Sequence, residues 1–335
     1  MRPEGLPDGI NDALYAVVEL TATDGYERLK AAIKQNALKI AYDERSTPED
    51  IALKVWVAAP DIMARQYNKQ RLRRLSRFDY YEREPAEFHW SNPQTGGKGD
   101  LDALVRELDR WFEANDRGAE TTVIEKYGFN GEEWFLIRHG DSLLRSSKVE
   151  KRKREILHYR PAKDDVVVYS SERDELRINA KTKGEKELYR VMFGCYLTRY
   201  GGYFREAKTY TLELLRELQR DALECGDIPG LTSVVLKGLD VDFGNGLGQG
   251  CTLRADDVFA CQWTPGVTGL ALPAKAKLKR AAFSIVAQGQ EKPLEVQIRP
   301  PNTLRLARHS SAGLVHKWAA ARGFKGGKPT GAKPA

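Results

Sequence analysis

The sequence predicts an α+β protein: a helix-rich N-terminal part followed by antiparallel strands with covering helices. Two patterns and the composition point there. Leu101, Leu104, Val105, Leu108, Trp111 and Phe112 recur at three- and four-residue spacing behind Asp100, the period of a helix with one apolar face. From Thr121 onward, short β-branched and aromatic runs alternate with turn-forming clusters, as antiparallel strands do. The 335 residues are 41% hydrophobic, 30% charged and 9% aromatic, which suits a folded globular chain of two or three packed units, or of one elaborated α+β domain.

The first hundred residues read mainly as helices. Ser46-Thr47-Pro48-Glu49-Asp50 has the parts of a helix start: a hydroxyl cap, proline in the first turn, then acids that complement the helix dipole. The apolar run Ile51 to Ala59 follows. Asp61 opens the next expected helix, with Ile62, Leu72 and Leu75 inward, before Phe78-Asp79-Tyr80-Tyr81 turns strand-like. Ser91 to Gly99 reads as a loop, and Asn115-Asp116-Arg117-Gly118 ends the amphipathic helix and the first unit, 1–117.

The second unit, 118–274, is expected to be α+β. Thr121 to Tyr127 and Glu133 to Arg138 flank a Gly128-Phe129-Asn130-Gly131 turn, and 156–159, 166–169 and 176–180 read as an antiparallel meander. A helix over about 185–197 covers it, with Leu188, Val191, Met192 and Cys195 inward. A second leucine-rich helix is expected over 211–224, a long strand over 231–243, and a turn over the glycine-rich 244–250. The third unit, 275–324, is a basic strand-strand-helix module. Its strands are 281–287 and 294–298, and its helix runs from about Ser311 to Arg322. Gly323 caps that helix, and Phe324 folds back on it. Residues 325–335, rich in Gly, Lys and Pro, form a basic flexible tail.

Export and membrane insertion are not expected, since the N-terminal residues lack a secretory pattern and no apolar run is long enough to cross a bilayer. The expected location is cytoplasmic. Cys195, Cys225, Cys251 and Cys261 form neither a CxxC pair nor a compact framework, so reduced thiols are expected. No histidine stands three to five residues from another histidine or a cysteine, so no metal site or cofactor is expected.

Some short segments carry the letters of catalytic motifs. Phe135-Leu136-Ile137-Arg138-His139-Gly140 resembles the RHG signature of the histidine phosphatases, a resemblance that implies phosphoryl transfer to His139 with Arg138 binding the group. In that family the signature opens the domain; here it sits mid-chain, and the residues after it are charged. Tyr203-Phe204-Arg205-Glu206-Ala207-Lys208 resembles half of the PD-(D/E)xK nuclease signature, which implies a metal held by Glu206 and an acid such as Asp174, with Lys208 stabilising charge. Asp240 and Asp242 alternate on a strand, with Asp256 and Asp257 further along, and such carboxylates suit Mg²⁺ or Mn²⁺. The glycines at 244, 246, 248 and 250 fit neither phosphate-binding spacing, so they read as a loop needing permissive backbone angles.

Basic clusters are the more coherent signal. Overall charge is +7, yet residues 275–335 hold thirteen Lys and Arg against two acids, which leaves the preceding part net negative. Clustered positive charge attracts polyanions at long range. Between Ile62 and Arg77 stand Arg65, Lys69, Arg71, Arg73, Arg74 and Arg77 and no acid, and on one continuous helix 65, 69, 73 and 77 would form a stripe. Lys148, Lys151, Arg152, Lys153 and Arg154 make a second cluster, and Lys275, Lys277, Lys279 and Arg280 open the third. The function expected is non-catalytic binding of nucleic acid, DNA or RNA, through phosphate contacts within a nucleoprotein assembly whose other protein subunits are further partners. The alternatives are a metal-dependent nuclease or phosphoesterase, and a module docking on an acidic protein.

Overall fold

The computed structural model describes residues 8–22, 24–43, 45–84, 99–129, 131–150, 152–206, 209–261, 270, 272–290, 292–306 and 312–326. Its backbone contacts divide at Leu75/Ser76 into an N-terminal helical unit and a larger sheet-containing unit, so the boundaries expected at 117 and 274 fall inside the second. The protein is α+β, with eight helices and thirteen mostly antiparallel strands among the described residues.

The N-terminal unit holds α1 (Asp8–Thr21), α2 (Asp24–Gln35), α3 (Pro48–Ala58) and α4 (Pro60–Arg74). Thr47 caps α3 as its sequence predicts: its hydroxyl accepts from Asp50 N–H while Asp50 accepts from Thr47 N–H. Ala59 separates α3 from α4, and Pro60 begins α4. The unit's core is Val17, Leu20, Leu29, Ile33, Ile51, Val55 and Met63. In α4 Leu72 is buried, whereas Ile62 is only half-buried.

The second unit begins with β1 (Arg77–Arg83), α5 (Leu101–Ala114), β2 (Val123–Phe129) and β3 (Glu132–Gly140). It continues with β4 (Leu144–Glu150), β5 (Lys153–Tyr159), β6 (Ala162–Ser170), β7 (Glu175–Asn179) and α6 (Lys183–Thr198). Then come β8 (Phe204–Glu206), the single turn α7 (Leu214–Glu217), β9 (Leu231–Asp242), β10 (Gly250–Arg254), β11 (Lys277–Ala287), β12 (Leu294–Arg299), β13 (Thr303–Leu306) and α8 (Ala312–Ala321). One sheet runs β10-β9-β11-β12-β13-β1-β7-β6-β3-β2, with β8 also on β1. Strand β1 lies between β2-β3-β6-β7 on one side and β10-β9-β11-β12-β13 on the other, each side followed in sequence by a helix, α6 and α8. The basic C-terminal strands therefore belong to the same sheet as the central ones, joined through the β13–β1 ladder.

The two following helices lie on opposite faces. Tyr81, Phe135, Val167 and Ile178 pack with Leu108 and Phe112 of α5 and Tyr189 and Phe193 of α6. Phe283, whose cross-strand partners place it on the other face, packs against Trp318 of α8 and against Phe324, which folds back as expected after Gly323 at φ 76°.

Other expectations are corrected: Cys195, expected inward on α6, is exposed. Residues 156–159 are not in the central meander: among the described residues β5 pairs only with β4, as a separate two-stranded hairpin. Residues 211–224 do not form one helix. Gln219 takes φ 52° and its amide bonds to Arg216 and Leu270, which ends α7 and leaves a short 3-10 turn after it. Lys325 and Gly326 are not tail, since Gly326 N–H donates to Thr209 and Lys325 reaches Glu175 at 3.4 Å. Residues 327–335 and the expected loop at 91–98 lie outside the described residues. No helix among the described residues is long and apolar enough to cross a membrane.

Candidate nucleic-acid interface

The predicted clusters fall in different places. Arg65, Lys69, Arg71, Arg73 and Arg74 are on α4, but the helix ends at Arg74 and Leu75 is extended. Arg77 therefore leaves the predicted stripe and begins β1 in the other unit. On α4, burial and then the neighbouring Arg65 and Arg73 push the Lys69 ammonium below its ordinary value, so the remaining stripe is a crowded set of like charges. Arg74 is paired with Glu19, and Arg71 lies over the Tyr67 ring. In the third cluster Arg280 is held by both oxygens of Asp240, at 2.8 and 3.0 Å, and Lys279 is 3.2 Å from Asp242, while Lys275 and Lys277 are exposed. In the second, Arg152, Lys153 and Arg154 are exposed at the end of the β4–β5 hairpin, Lys148 meets Glu155 at 3.3 Å, and Lys151 lies outside the described residues.

The catalytic resemblances do not assemble. His139 is 1% exposed, stacks on Phe112 at 4.0 Å and meets Asp165 at 3.1 Å, while Arg138 turns to Asp164 and Glu125. A buried imidazole between a ring and a carboxylate is a core histidine, not one open to a phosphoryl group. Asp174 accepts from Tyr169 and Tyr203, and Glu206 stands across from Tyr81 on β8. Lys208 lies outside the described residues. Asp240 and Asp242 serve Arg280, Thr252, Lys279 and Gly244 N–H. Asp256 meets Lys237, and Asp257 caps the turn after β10 and binds Arg220. The glycine loop does need permissive angles, with φ at 65°, 76° and 69° for Gly244, Gly246 and Gly248.

One buried charged cluster was not foreseen. His139, Asp165 and Glu185 bring ligand-type atoms within 4.8 Å of one another. A cation is already there: Lys163 lies 2.6 Å from Glu185 and 3.4 Å from Asp165, and Arg117 is 3.7 Å from Glu185. Tyr189 donates to Asp165, and Thr182 N–H donates to Glu185 as half of the α6 capping box. Burial alone would raise the Glu185 carboxyl, but Lys163 and Thr182 N–H hold it below its ordinary value. Gly140 lets β3 run close under Arg117, whose carbonyl oxygen a methyl group there would strike. The cluster thus carries its own counter-charges, although among the described residues Glu185 Oε1 has no hydrogen bond and only the 3.7 Å ion pair with Arg117.

The arrangement with unsatisfied charge is the sheet face beside it. Cross-strand partners share a face, so Arg254, Gly238, Ala282, Gln297, Arg305 and Arg77 form one row across β10, β9, β11, β12, β13 and β1. Arg299 is one step along β12, opposite Thr303, which is opposite Asp79. Asp79 is on the α6 side, bound by Lys186 at 2.5 Å and by Thr303 at 2.9 Å, so this row continues the face that α5 and α6 cover; its ends at Arg254, Arg305 and Arg77 are exposed, while Gly238 in its middle is buried. Arg77, Arg254, Arg299 and Arg305 are exposed, and no carboxylate among the described residues pairs with them. Gln297, Arg299, Thr303, Arg305 and Arg77 line a dent of about 50 Å³, and Arg77 also borders a cleft of about 280 Å³ with Asp79, Lys163, Asn179 and Lys186. Arg77 and Arg305 stand directly opposite, a like-charge pair that disfavours the sheet.

Sequence reasoning named Arg77 for the wrong element and did not single out Arg254, Gln297, Arg299 or Arg305. The available signal was the two-residue alternation of Gln297/Arg299 and Thr303/Arg305 on either side of Pro300-Pro301, which brings them together only as a hairpin. No protein-family model matches the chain, and no curated protein matches it in sequence.

Proposed function

We propose that this protein binds nucleic acid without cleaving it, holding the phosphate backbone within a nucleoprotein assembly. The observation that carries the reading is the opposed pair Arg77–Arg305 with Arg299 on the diagonal, exposed and without a counter-charge among the described residues. A polyanion lying across β12, β13 and β1 relieves that repulsion and meets a planar donor at each step. The neighbouring Gln297 and Thr303 add neutral hydrogen-bonding groups, which suits backbone contacts without sequence selection. The small Gly238 and Ala282 keep the middle of the row low between Arg254 and Gln297. The basic stripe left on α4 and the exposed lysines at 275 and 277 are further phosphate contacts in this reading.

The test is Arg77→Gln, Arg299→Gln and Arg305→Gln combined, measured by fluorescence anisotropy on two unrelated duplexes over a range of salt. Each lost phosphate contact lowers the slope of log affinity against log salt by about 0.9, so a fall of about 2.7 is expected, alike for both sequences. An unchanged slope and affinity would sink the proposal. Tighter binding to an acidic polypeptide than to either duplex would favour the protein-docking alternative instead.

A further inference from the structure

The β4–β5 hairpin stands apart from the main sheet: among the described residues its strands pair only with each other, and from Leu144 to Tyr159 every residue whose side chain is described is exposed. A lone two-stranded hairpin is marginally stable in water, and this one exposes Val149 at 75% and Ile156 at 46%. The register separates its two faces. Leu144, Tyr159, Ser146, Leu157 and the Lys148–Glu155 pair share one. Arg145, His158, Ser147, Ile156, Val149 and Arg154 share the other, which has no acid. Neither Arg145 nor Arg154 is paired with a carboxylate among the described residues.

The turn adds an independent observation. Arg152 has φ 65°, the left-handed conformation that hairpin turns ordinarily give to Gly or Asn. A basic side chain stands there despite that strain, and it places charge at the tip next to Lys153.

Deepening the nucleic-acid reading, on which it rests, we propose that this hairpin enters the major groove of B-form duplex DNA with its Arg145/Arg154/His158 face toward the bases and phosphates. The fit is physical. The B-form major groove, about 12 Å wide, admits a two-stranded ribbon. The groove of A-form RNA is too deep and narrow for side chains to read. The acid-free face matches the groove's phosphate walls in charge, and Val149 and Ile156 match the thymine methyl groups.

The experiment compares the full chain with the combined variant Arg145→Gln, Arg152→Gly and Arg154→Gln on duplex DNA, duplex RNA and single-stranded DNA, with thermal unfolding to confirm that both are folded. The Arg152→Gly change removes the tip charge while easing the turn. The salt slope on duplex DNA should fall by about 2.7, with duplex RNA and the single strand unaffected. Prior methylation of guanine N7, a major-groove atom, should weaken the parent protein and no longer matter to the variant. Equal losses on all three nucleic acids, or no loss on duplex DNA, would overturn the hairpin's role. A parent protein that binds duplex DNA through Arg77, Arg299 and Arg305 while the hairpin variant is unaffected overturns this inference alone. A parent protein that binds no nucleic acid overturns both readings.

Discussion

Around Glu185 and along β12, β13 and β1, the same face of one sheet carries charge in two opposite ways. Glu185 and Asp165 are buried, and each charge there meets a partner: Lys163, Arg117, His139 or Tyr189. Arg77, Arg299 and Arg305 are exposed and meet none among the described residues, although the cleft bordered by Arg77 is also bordered by Lys163. Matched buried charge serves the fold, because removing one partner leaves the other stranded in a poorly solvated place. Unmatched exposed charge contributes nothing favourable to folding and is available to a ligand. The division makes predictions that separate stability from affinity.

The largest effect is expected on the buried side. Lys163→Met leaves Glu185, which is 0% exposed, with fewer cations to balance it, and breaking such a pair costs about 3–5 kcal/mol. Urea unfolding should show that loss, while the salt slope of nucleic-acid binding in the folded variant stays at the parent value. A cost below about 1 kcal/mol would mean that the cluster is wet and the contrast false.

A smaller effect is expected at His316 on α8. Burial, and then Lys325, Arg177 and Arg173, push its imidazole down to about 3, against a smaller opposing pull from Glu132. Tyr80 of β1 faces it with ring centroids 6.5 Å apart. The unfolded chain takes up a proton near pH 6.5 that the native chain refuses, so stability falls as pH drops through the window from about 6.5 to about 3, by at most about 1.4 kcal/mol per pH unit. Glu185, whose carboxyl is depressed, contributes stability above its ordinary value of 4.5 and loses it only below that, so between pH 5 and 6.5 it adds no slope to the one expected from His316. Unfolding of His316→Gln over that interval should be flatter than that of the parent; equal slopes would assign the dependence elsewhere.

How much of this was legible depends on whether a feature is local in sequence. The Thr47 cap, the Asp100 helix, the Gly323–Phe324 ending and the hairpin about Gly131 rest on neighbouring residues, and the sequence showed them. The arginine row did not show, because it is assembled from six strands spread between Arg77 and Arg305, and the short β13 and β10 carry too few residues for a period to register. The stripe drawn through Arg77 failed because helical spacing continued past Leu75, where the backbone becomes extended. The cluster about Glu185 was hidden for the same reason as the row. Its residues come from β3, β6 and α6, and the His139 motif drew attention to chemistry that burial forbids.

The smallest effect sharpens the comparison at the border between the two kinds of charge. Arg280 sits on the row's face, next along β11 from Ala282, yet Asp240 occupies it from both oxygens and also accepts from Thr252. Asp240→Asn keeps the shape and the Thr252 contact while removing the counter-charge. The pair is partly exposed, so the loss of stability should stay within about 1 kcal/mol. If the face binds phosphate, the released guanidinium becomes one more contact, and the salt slope should steepen by about 0.9 with tighter binding at low salt. The same substitution made on top of Arg77→Gln, Arg299→Gln and Arg305→Gln should restore about a third of what those changes remove. A slope that does not move would show that Arg280 lies beyond the edge of the bound strand, which would confine the interface to β12, β13 and β1.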